Sequence, residues 1–220
     1  MKIDDGVLTG VVNSDIIGGT LVIPAGVTEI GQNAFRNCVR LIEIEIPHGV
    51  RVIGEGAFGY CSRLQKVTIA ETVYEIGSFA FSNCSRLTEV VIPDKVNSIG
   101  DGTFYGCTML ARIIVGEKNG DFASADGVLY NKNKTEILAV ALGADGHIKL
   151  PETLTAIPDC AFKGCEKLKA IDIPVSVKTV GWLAFNDCEQ LTINCKAKSQ
   201  PAGFESHWNP QNRPVVWGVK

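Results

Sequence analysis

The chain has 220 residues and lacks the features that mark membrane proteins and nucleic-acid-binding proteins. No apolar run approaches the roughly 18 residues that a membrane-spanning helix needs. Basic and acidic residues number 21 and 24, so the formal net charge is −3 and no basic excess is available to attract nucleic acid. The segment from Met1 to Asp5 has no apolar stretch of the kind found in signal peptides. We therefore expect either an intracellular protein or a trimmed form or fragment of an exported one.

Residues that could form a catalytic or metal site are also scarce. There are only three histidines, which lie in three different contexts: His48, His147 and His207. The motifs G-x-S-x-G and H-E-x-x-H are absent, as are a glycine-rich phosphate loop and C-x-x-C metal spacing. Asp5-Gly6 and Asp126-Gly127 lack the alternating oxygen ligands of calcium loops and are better explained as turns. We therefore predict a protein that is not an enzyme and holds no cofactor or metal, with solvated surface histidines.

What the sequence does contain is a repeat of 23 residues. It reads L-x-x-I-x-I-P-x-x-V-x-x-I-G-x-x-A-F-x-x-C-x-x, and its cysteine follows a phenylalanine by three residues. The cysteines that mark it are Cys38, Cys61, Cys84, Cys107, Cys165 and Cys188. A fixed period of roughly 20–50 residues is the sequence signature of a solenoid, in which each coil buries its apolar face against the next.

The repeats divide the chain into consecutive segments of a single domain, residues 1–220. From Cys107 to Cys165 there are 58 residues, which is two periods of 23 plus 12, so an insertion of 12 residues is predicted there. The predicted segments are an N-terminal hairpin or cap at 1–17, repeats 1–4 at 18–109, repeat 5 with a hairpin insertion at 110–144, repeats 6–7 at 145–190, and a C-terminal cap at 191–220.

Each repeat position has a physical role. The I-x-I step at positions 4 and 6 has the two-residue period of a strand, and the following proline ends it because proline has no N–H to donate. Glycine recurs at position 14, but the sixth repeat has Pro158 there. Proline is fixed at a φ of about −65° and cannot adopt a left-handed backbone conformation, so position 14 does not require one. We therefore expect tight packing to explain the glycine.

The six repeat cysteines are predicted to form a ladder of buried, reduced thiols. Equivalent side chains in stacked coils point the same way, which holds their Cβ atoms too far apart for a relaxed disulfide. Cys160 and Cys195 lie outside the repeat pattern and are the candidates for reactive or paired thiols.

The joint recurrence of leucine, proline, glycine, Ala-Phe and cysteine resembles the BspA-like class of bacterial leucine-rich repeats. That resemblance implies a leucine-rich-repeat solenoid, a mostly β, right-handed coil or horseshoe with one parallel strand per repeat and short helical or 3-10 turns opposite. The segment Phe122 to Tyr130 looks like that family's hairpin insertion and is echoed at Asp5 to Leu8. Both are interpreted as the first strand of a hairpin, with Asn131 to Lys134 as the second hairpin's turn. The tail containing Trp208 and Trp217 looks like the family's terminal segment.

Outward strand positions are where a binding surface could lie. Position 3 alternates acid and base after the first repeat, which places opposite charges on neighbouring strands. At position 5, two apolar side chains are predicted to be adjacent and exposed. The candidate binding surface consists of Glu43, Glu45, Lys66, Thr68, Glu89, Val91, Arg112 and Ile114.

Two classes of function follow, a non-catalytic interaction module and an enzyme. The resemblance implies a non-catalytic protein-interaction module, a bacterial surface or secreted protein of adhesin type that binds host or matrix proteins. The alternatives are an intracellular scaffold and, less favoured, an enzyme that uses the insertion or the C-terminal cap. A monomer with a protein partner is expected, with neither nucleic acid nor membrane insertion.

Overall fold

The computed structural model describes residues 1–220 and resolves into two compact units, Met1–Asp121 and Phe122–Lys220. Each unit is a stack of coils built from short strands, so the predicted solenoid is confirmed. The single helical element is a 3-10 turn at Asn13–Asp15. No helix has the length and apolar character needed to cross a membrane.

The first unit contains ten strands. In chain order they are β1 (Lys2–Asp4), β2 (Val7–Gly10), β3 (Glu29–Ile30), β4 (Glu43–Ile46), β5 (Val52–Ile53), β6 (Lys66–Ile69), β7 (Glu75–Ile76), β8 (Glu89–Ile92), β9 (Ser98–Ile99) and β10 (Arg112–Val115). One sheet has the order β1-β2-β3-β5-β7-β9, antiparallel at β1–β2 and parallel beyond. The I-x-I strands form two separate parallel pairs, β4–β6 and β8–β10. The sequence predicted one strand per repeat, and the structure adds a second, two-residue strand at positions 12 and 13.

The second unit also contains ten strands. They are β11 (Phe122–Ala125), β12 (Val128–Asn131), β13 (Ile137–Val140), β14 (Gly146–Lys149), β15 (Ala156–Ile157), β16 (Leu168–Ile173), β17 (Thr179–Val180), β18 (Thr192–Cys195), β19 (Gly203–Phe204) and β20 (Val215–Trp217). The antiparallel sheet β11-β12-β13 is followed by two parallel sheets, β14-β16-β18-β20 and β15-β17-β19. The tail after Leu191 therefore leaves the sequence pattern but still continues both parallel sheets.

Two hairpins share the same turn. Asp5-Gly6 joins β1 to β2, and Asp126-Gly127 joins β11 to β12. All four residues have positive φ, between 47° and 79°, which two-residue hairpin loops of the I′ type require. The interpretation of Asp5 to Leu8 and Phe122 to Tyr130 each as one first strand was wrong, because each Asp-Gly pair is the turn between two strands. The turn predicted at Asn131 to Lys134 does lie between β12 and β13.

The side of each coil opposite the I-x-I strands is built from turns rather than a continuous helix. In the first repeat, Ala34 and Cys38 donate backbone hydrogen bonds to the residue three positions earlier, as in a 3-10 helix. Asn33 and Asn37 instead have φ of 56° and 61° and donate to carbonyls of the next coil. These left-handed residues stop the helix and join neighbouring coils.

Phenylalanines of successive repeats stack along the core. In the first unit the ring centroids of Phe35, Phe58 and Phe81 are separated by 4.7 Å and 5.2 Å, and in the second unit Phe162 and Phe185 are 5.4 Å apart. All five rings are fully buried. Burying each of them contributes about 1.5–3 kcal/mol, and parallel stacking of neighbouring coils is what makes that burial possible.

Tight packing explains the glycine at position 14, as the sequence predicted. None of these glycines has positive φ. A Cβ on Gly54 would lie 2.9 Å from the backbone of the preceding coil, and one on Gly77 would lie 2.6 Å from the nitrogen of Glu55. The coils therefore approach each other too closely at this position for a side chain.

Candidate binding surface

The eight candidate residues all lie on the outward face of β4, β6, β8 and β10. Along β4, Glu43 and Glu45 are exposed while Ile44 and Ile46 are buried. The other three strands alternate in the same sense, except that Glu89 and Val115 are half-buried. This alternation follows from the two-residue period of a strand. The face belongs to the first unit and carries charged, hydroxyl and apolar side chains.

Charge pairing on this face is less extensive than the sequence predicted. Arg112 Nη2 lies 2.5 Å from Glu89 Oε2, across the β8–β10 pair. Glu43 and Lys66 are opposite each other in register but form no ion pair. No ladder hydrogen bonds join β6 to β8, so the acid–base alternation is interrupted between the third and fourth repeats.

An apolar pair lies beside the ion pair. Val91 and Ile114 are opposite each other in register and are 47% and 40% exposed. These exposed fractions agree with the small apolar patch that the sequence predicted. Side chains this exposed lose water contact only when another molecule covers them.

The strand face also contains a depression of about 440 Å³ that sequence reasoning missed. Four candidate residues line it on one side, Glu43, Glu45, Lys66 and Thr68, and residues 20–23 of the first repeat line the other. The sequence Thr-Leu-Val-Ile at these positions predicts a strand, yet none forms there. The signal that could have revealed this is the Gly18-Gly19 pair just before it.

The six repeat cysteines are buried and unpaired, as predicted. Burial raises the pKa of Cys38 to about 11 and that of Cys61 and Cys188 to about 12. The sequence did not predict that these thiols also donate hydrogen bonds. Cys61 Sγ lies 3.1 Å from the carbonyl of Phe35, and Cys188 Sγ lies 3.0 Å from that of Phe162.

The two cysteines outside the pattern differ from each other. Cys160 is exposed and unpaired. Cys195 is 1% exposed, on β18, and burial raises its pKa to about 12. The prediction that Cys195 is a reactive or pairing thiol is therefore wrong, because β18 continues the parallel sheet and turns this side chain into the core.

The histidines were predicted to be solvated, and all three are exposed, but His147 also makes a contact that the sequence did not predict. His147 Nε2 lies 2.7 Å from Asp172 Oδ1, which also accepts a hydrogen bond of 2.8 Å from Asn194 Nδ2. Burial raises the pKa of Asp172, but the hydrogen bonds from Asn194 and His147 outweigh burial and hold it below its usual value. His48 is exposed and His207 contacts Ser206. No cluster of His, Cys, Asp and Glu is arranged to hold a metal ion.

Solved structures similar to this chain are bacterial repeat proteins. The pneumococcal vaccine antigen PcpA matches with a TM-score of 0.71 and 26% identity over 85% of this chain and 52% of its own. A leucine-rich cell surface protein of Faecalibacterium prausnitzii matches with a TM-score of 0.60 and 25% identity over 84% of this chain and 61% of its own. The leucine-rich repeat protein of T. pallidum matches with a TM-score of 0.57 and 25% identity over 79% of this chain and 78% of its own. The chain thus spans between half and two thirds of the first two relatives.

No curated protein matches the sequence. The family model described as BspA type leucine-rich repeat region matches in six copies, over residues 19–126 and 146–205. These two ranges cover most of the coils described above, and they coincide with the 23-residue pattern of leucine, isoleucine, proline, glycine and cysteine. The chain therefore belongs to the BspA-type leucine-rich repeat family, whose repeats typically serve protein interaction.

Proposed function

We propose that this chain is a non-catalytic binding protein of adhesin type, exposed at a bacterial cell surface or secreted, and that the outward face of β4, β6, β8 and β10 binds a host or matrix protein. The observation that carries the proposal is the adjacency of the Val91–Ile114 pair to the Glu89–Arg112 ion pair. An apolar centre with charged neighbours is the usual composition of a protein interface.

Location at the surface is supported by the relatives. One of them is described as a cell surface protein and another as a vaccine antigen. The repeat architecture supports a binding role, because stacked coils present a continuous surface with variable outward residues on a constant core.

The test is binding of the intact chain to a panel of purified host matrix proteins by surface plasmon resonance. We expect one or more of them to bind, and we expect the double variant Val91→Asp, Ile114→Asp to lower the affinity at least roughly tenfold by placing charge in the interface centre. Val39→Asp is the matched control, because Val39 is 44% exposed in the same unit but lies outside the strand face.

An internal scaffold is the second candidate. It would be favoured if no matrix protein bound and fractionation of the native cells placed the protein in the cytoplasm. Binding that survives the double variant, with the fold intact by circular dichroism, would move the site away from this face.

A further inference from the structure

The first repeat leaves a set of backbone groups without partners. Ile17 and Thr20 exchange two backbone hydrogen bonds of 3.1 Å across Gly18 and Gly19, which have φ of 61° and 88°. This tight turn uses both backbone groups of Thr20. The next three residues, Leu21, Val22 and Ile23, make no backbone hydrogen bond to β4 or to any other strand.

The edge of β4 that faces the first repeat is open, because residues 21–23 form no strand beside it. The N–H of Glu43 donates to Gly19 O at 3.2 Å, so it points toward the first repeat. Along a strand, the backbone N–H and C=O groups of every second residue point to the same side. The N–H and C=O of Glu45 therefore also point toward the first repeat. Neither group has a partner there, and Pro47 then ends the edge without an N–H.

These unpaired groups border the depression of about 440 Å³. That volume lies within the roughly 300–1,000 Å³ typical of ligand pockets. Val22 at its rim is 85% exposed, while Ile44 and Ile23 at its base are 4% and 5% exposed. An apolar base beside an unpaired strand edge has the chemistry of sites that take up an extended peptide as an added strand.

The charged side chains that line the depression indicate which peptide sequence would bind there. Neither Glu43 nor Glu45 forms an ion pair, but Glu43 lies opposite the basic Lys66 in register, whereas Glu45 lies opposite the neutral Thr68. A peptide residue that lies antiparallel to the open edge and directly opposite Glu45 would have its Cβ about 4.5–5.5 Å from the Cβ of Glu45, a spacing at which opposite charges are favourable. A basic residue is therefore favoured there, and its apolar neighbours would point toward the base of the depression.

We infer that the depression between residues 20–23 and β4 binds an extended peptide segment with a lysine or arginine flanked by apolar residues, held by backbone hydrogen bonds at Glu45. This inference rests on the proposed function, since it names the partner chemistry for one end of the strand face. A folded epitope or a glycan would not use the backbone edge in this way.

The experiment uses the intact chain and a blocked seven-residue peptide of alternating valine and threonine with a central lysine. Isothermal titration calorimetry compares this peptide with two analogues. One has glutamate at the central position, and the other is methylated at the backbone nitrogen of the lysine. We expect each analogue to bind at least roughly tenfold more weakly, because one brings like charges together and the other removes a backbone donor. Glu45→Lys should weaken the lysine peptide and favour the glutamate analogue, while Glu55→Lys, on an exposed residue outside the depression, should change neither.

The inference is overturned if the lysine peptide does not bind, or if it binds equally well after N-methylation or in the Glu45→Lys variant. Its failure is distinguishable from failure of the proposed function. Matrix-protein binding that is sensitive to Val91→Asp, Ile114→Asp without peptide binding would remove only the peptide inference. Peptide binding without any matrix-protein binding would leave the depression as a site and remove the proposed function.

Discussion

The thiol of Cys61 donates a 3.1 Å hydrogen bond to the backbone carbonyl of Phe35 in the preceding coil. That carbonyl also accepts the backbone N–H of Cys38 at 2.9 Å, so it has a donor from its own coil and one from the next. The same arrangement recurs at Phe58, whose carbonyl accepts from Cys84 Sγ at 3.2 Å. Except for Cys165 of the sixth repeat, which donates no such bond, each repeat cysteine is thus both a small core side chain and a link between coils.

Replacing a repeat cysteine with alanine should destabilise the protein. Cys61→Ala removes the buried sulfur and its hydrogen bond, and we expect the free energy of unfolding in urea to fall by about 1–2 kcal/mol. Cys160→Ala, at an exposed position, should change it by less than about 0.5 kcal/mol. Equal effects of the two substitutions would contradict the role assigned to the buried ladder.

Thiol labelling should separate Cys160 from the other seven cysteines. At pH 8 we expect a disulfide reagent to modify one thiol per folded chain quickly and all eight in denaturant. Cys160→Ser should abolish the fast reaction, and Cys195→Ser should leave it unchanged. A second fast thiol in the folded protein would show that Cys195 is accessible after all.

Burial of the repeat cysteines predicts that the protein loses stability at alkaline pH. The folded pKa of Cys61 is raised to about 12 from an ordinary value of 9.0, so the stabilisation is fully present below pH 9 and is lost as the pH rises toward 12. Urea unfolding at pH 8 and pH 10 measures this, and the decrease should be smaller in the Cys61→Ala variant.

The glycine at position 14 should not tolerate a methyl group. In Gly77→Ala the new Cβ would lie 2.6 Å from the nitrogen of Glu55, and relieving that contact should cost about 1–3 kcal/mol of unfolding free energy. Gly10→Ala is the control, because no atom lies within 4 Å of a Cβ there. A thermal melt in which both variants match the parent protein would argue against close packing of the coils.

Restoring the repeat pattern at Asn119 should destabilise the chain. This residue occupies position 10, which is valine in the four preceding repeats. It is fully buried and donates hydrogen bonds of 2.9 Å and 2.8 Å to the carbonyls of Pro93 and Val96, while its oxygen accepts from Asp121. Asn119→Val would leave these groups unpaired, at a cost of about 1–3 kcal/mol in urea unfolding.

The exposed Asn97, whose side chain makes no hydrogen bond, supplies the matched substitution. Asn97→Val should alter stability by less than about 0.5 kcal/mol. If Asn119→Val proved stabilising, apolar burial would outweigh the hydrogen bonds at this position.

The His147–Asp172 contact predicts a dependence on pH. The pKa of Asp172 is lowered in the folded state, so the carboxylate stabilises the fold above its unfolded pKa and the contribution is lost as the pH falls through the folded value. We expect Asp172→Asn to lower the free energy of unfolding by only about 0.5 kcal/mol at pH 7, because solvent screens the pair, and by less near pH 3. Asp145→Asn, at an exposed residue without a hydrogen bond, should show no such dependence.

Much of the fold could be predicted because the informative contacts repeat. Isoleucine alternation predicted the strands β4, β6, β8, β10, β14 and β16, and the glycine at position 14 predicted close coils. Both predictions depend only on the residues of one repeat and on a neighbouring repeat with the same pattern. The candidate surface was predicted as a face by the same alternation, but its individual contacts were not.

The 23-residue period therefore determined the solenoid, the buried cysteine ladder and the outward positions from sequence alone, since any coil of this length must bury the same side chains against its neighbours. Only the tertiary structure decided the missing strand in the first repeat, the orientation of Cys195, and the pairing of His147 with Asp172. These features depend on where two different segments meet across neighbouring coils, and the direction of a side chain there is set by backbone geometry that a repeating pattern does not encode.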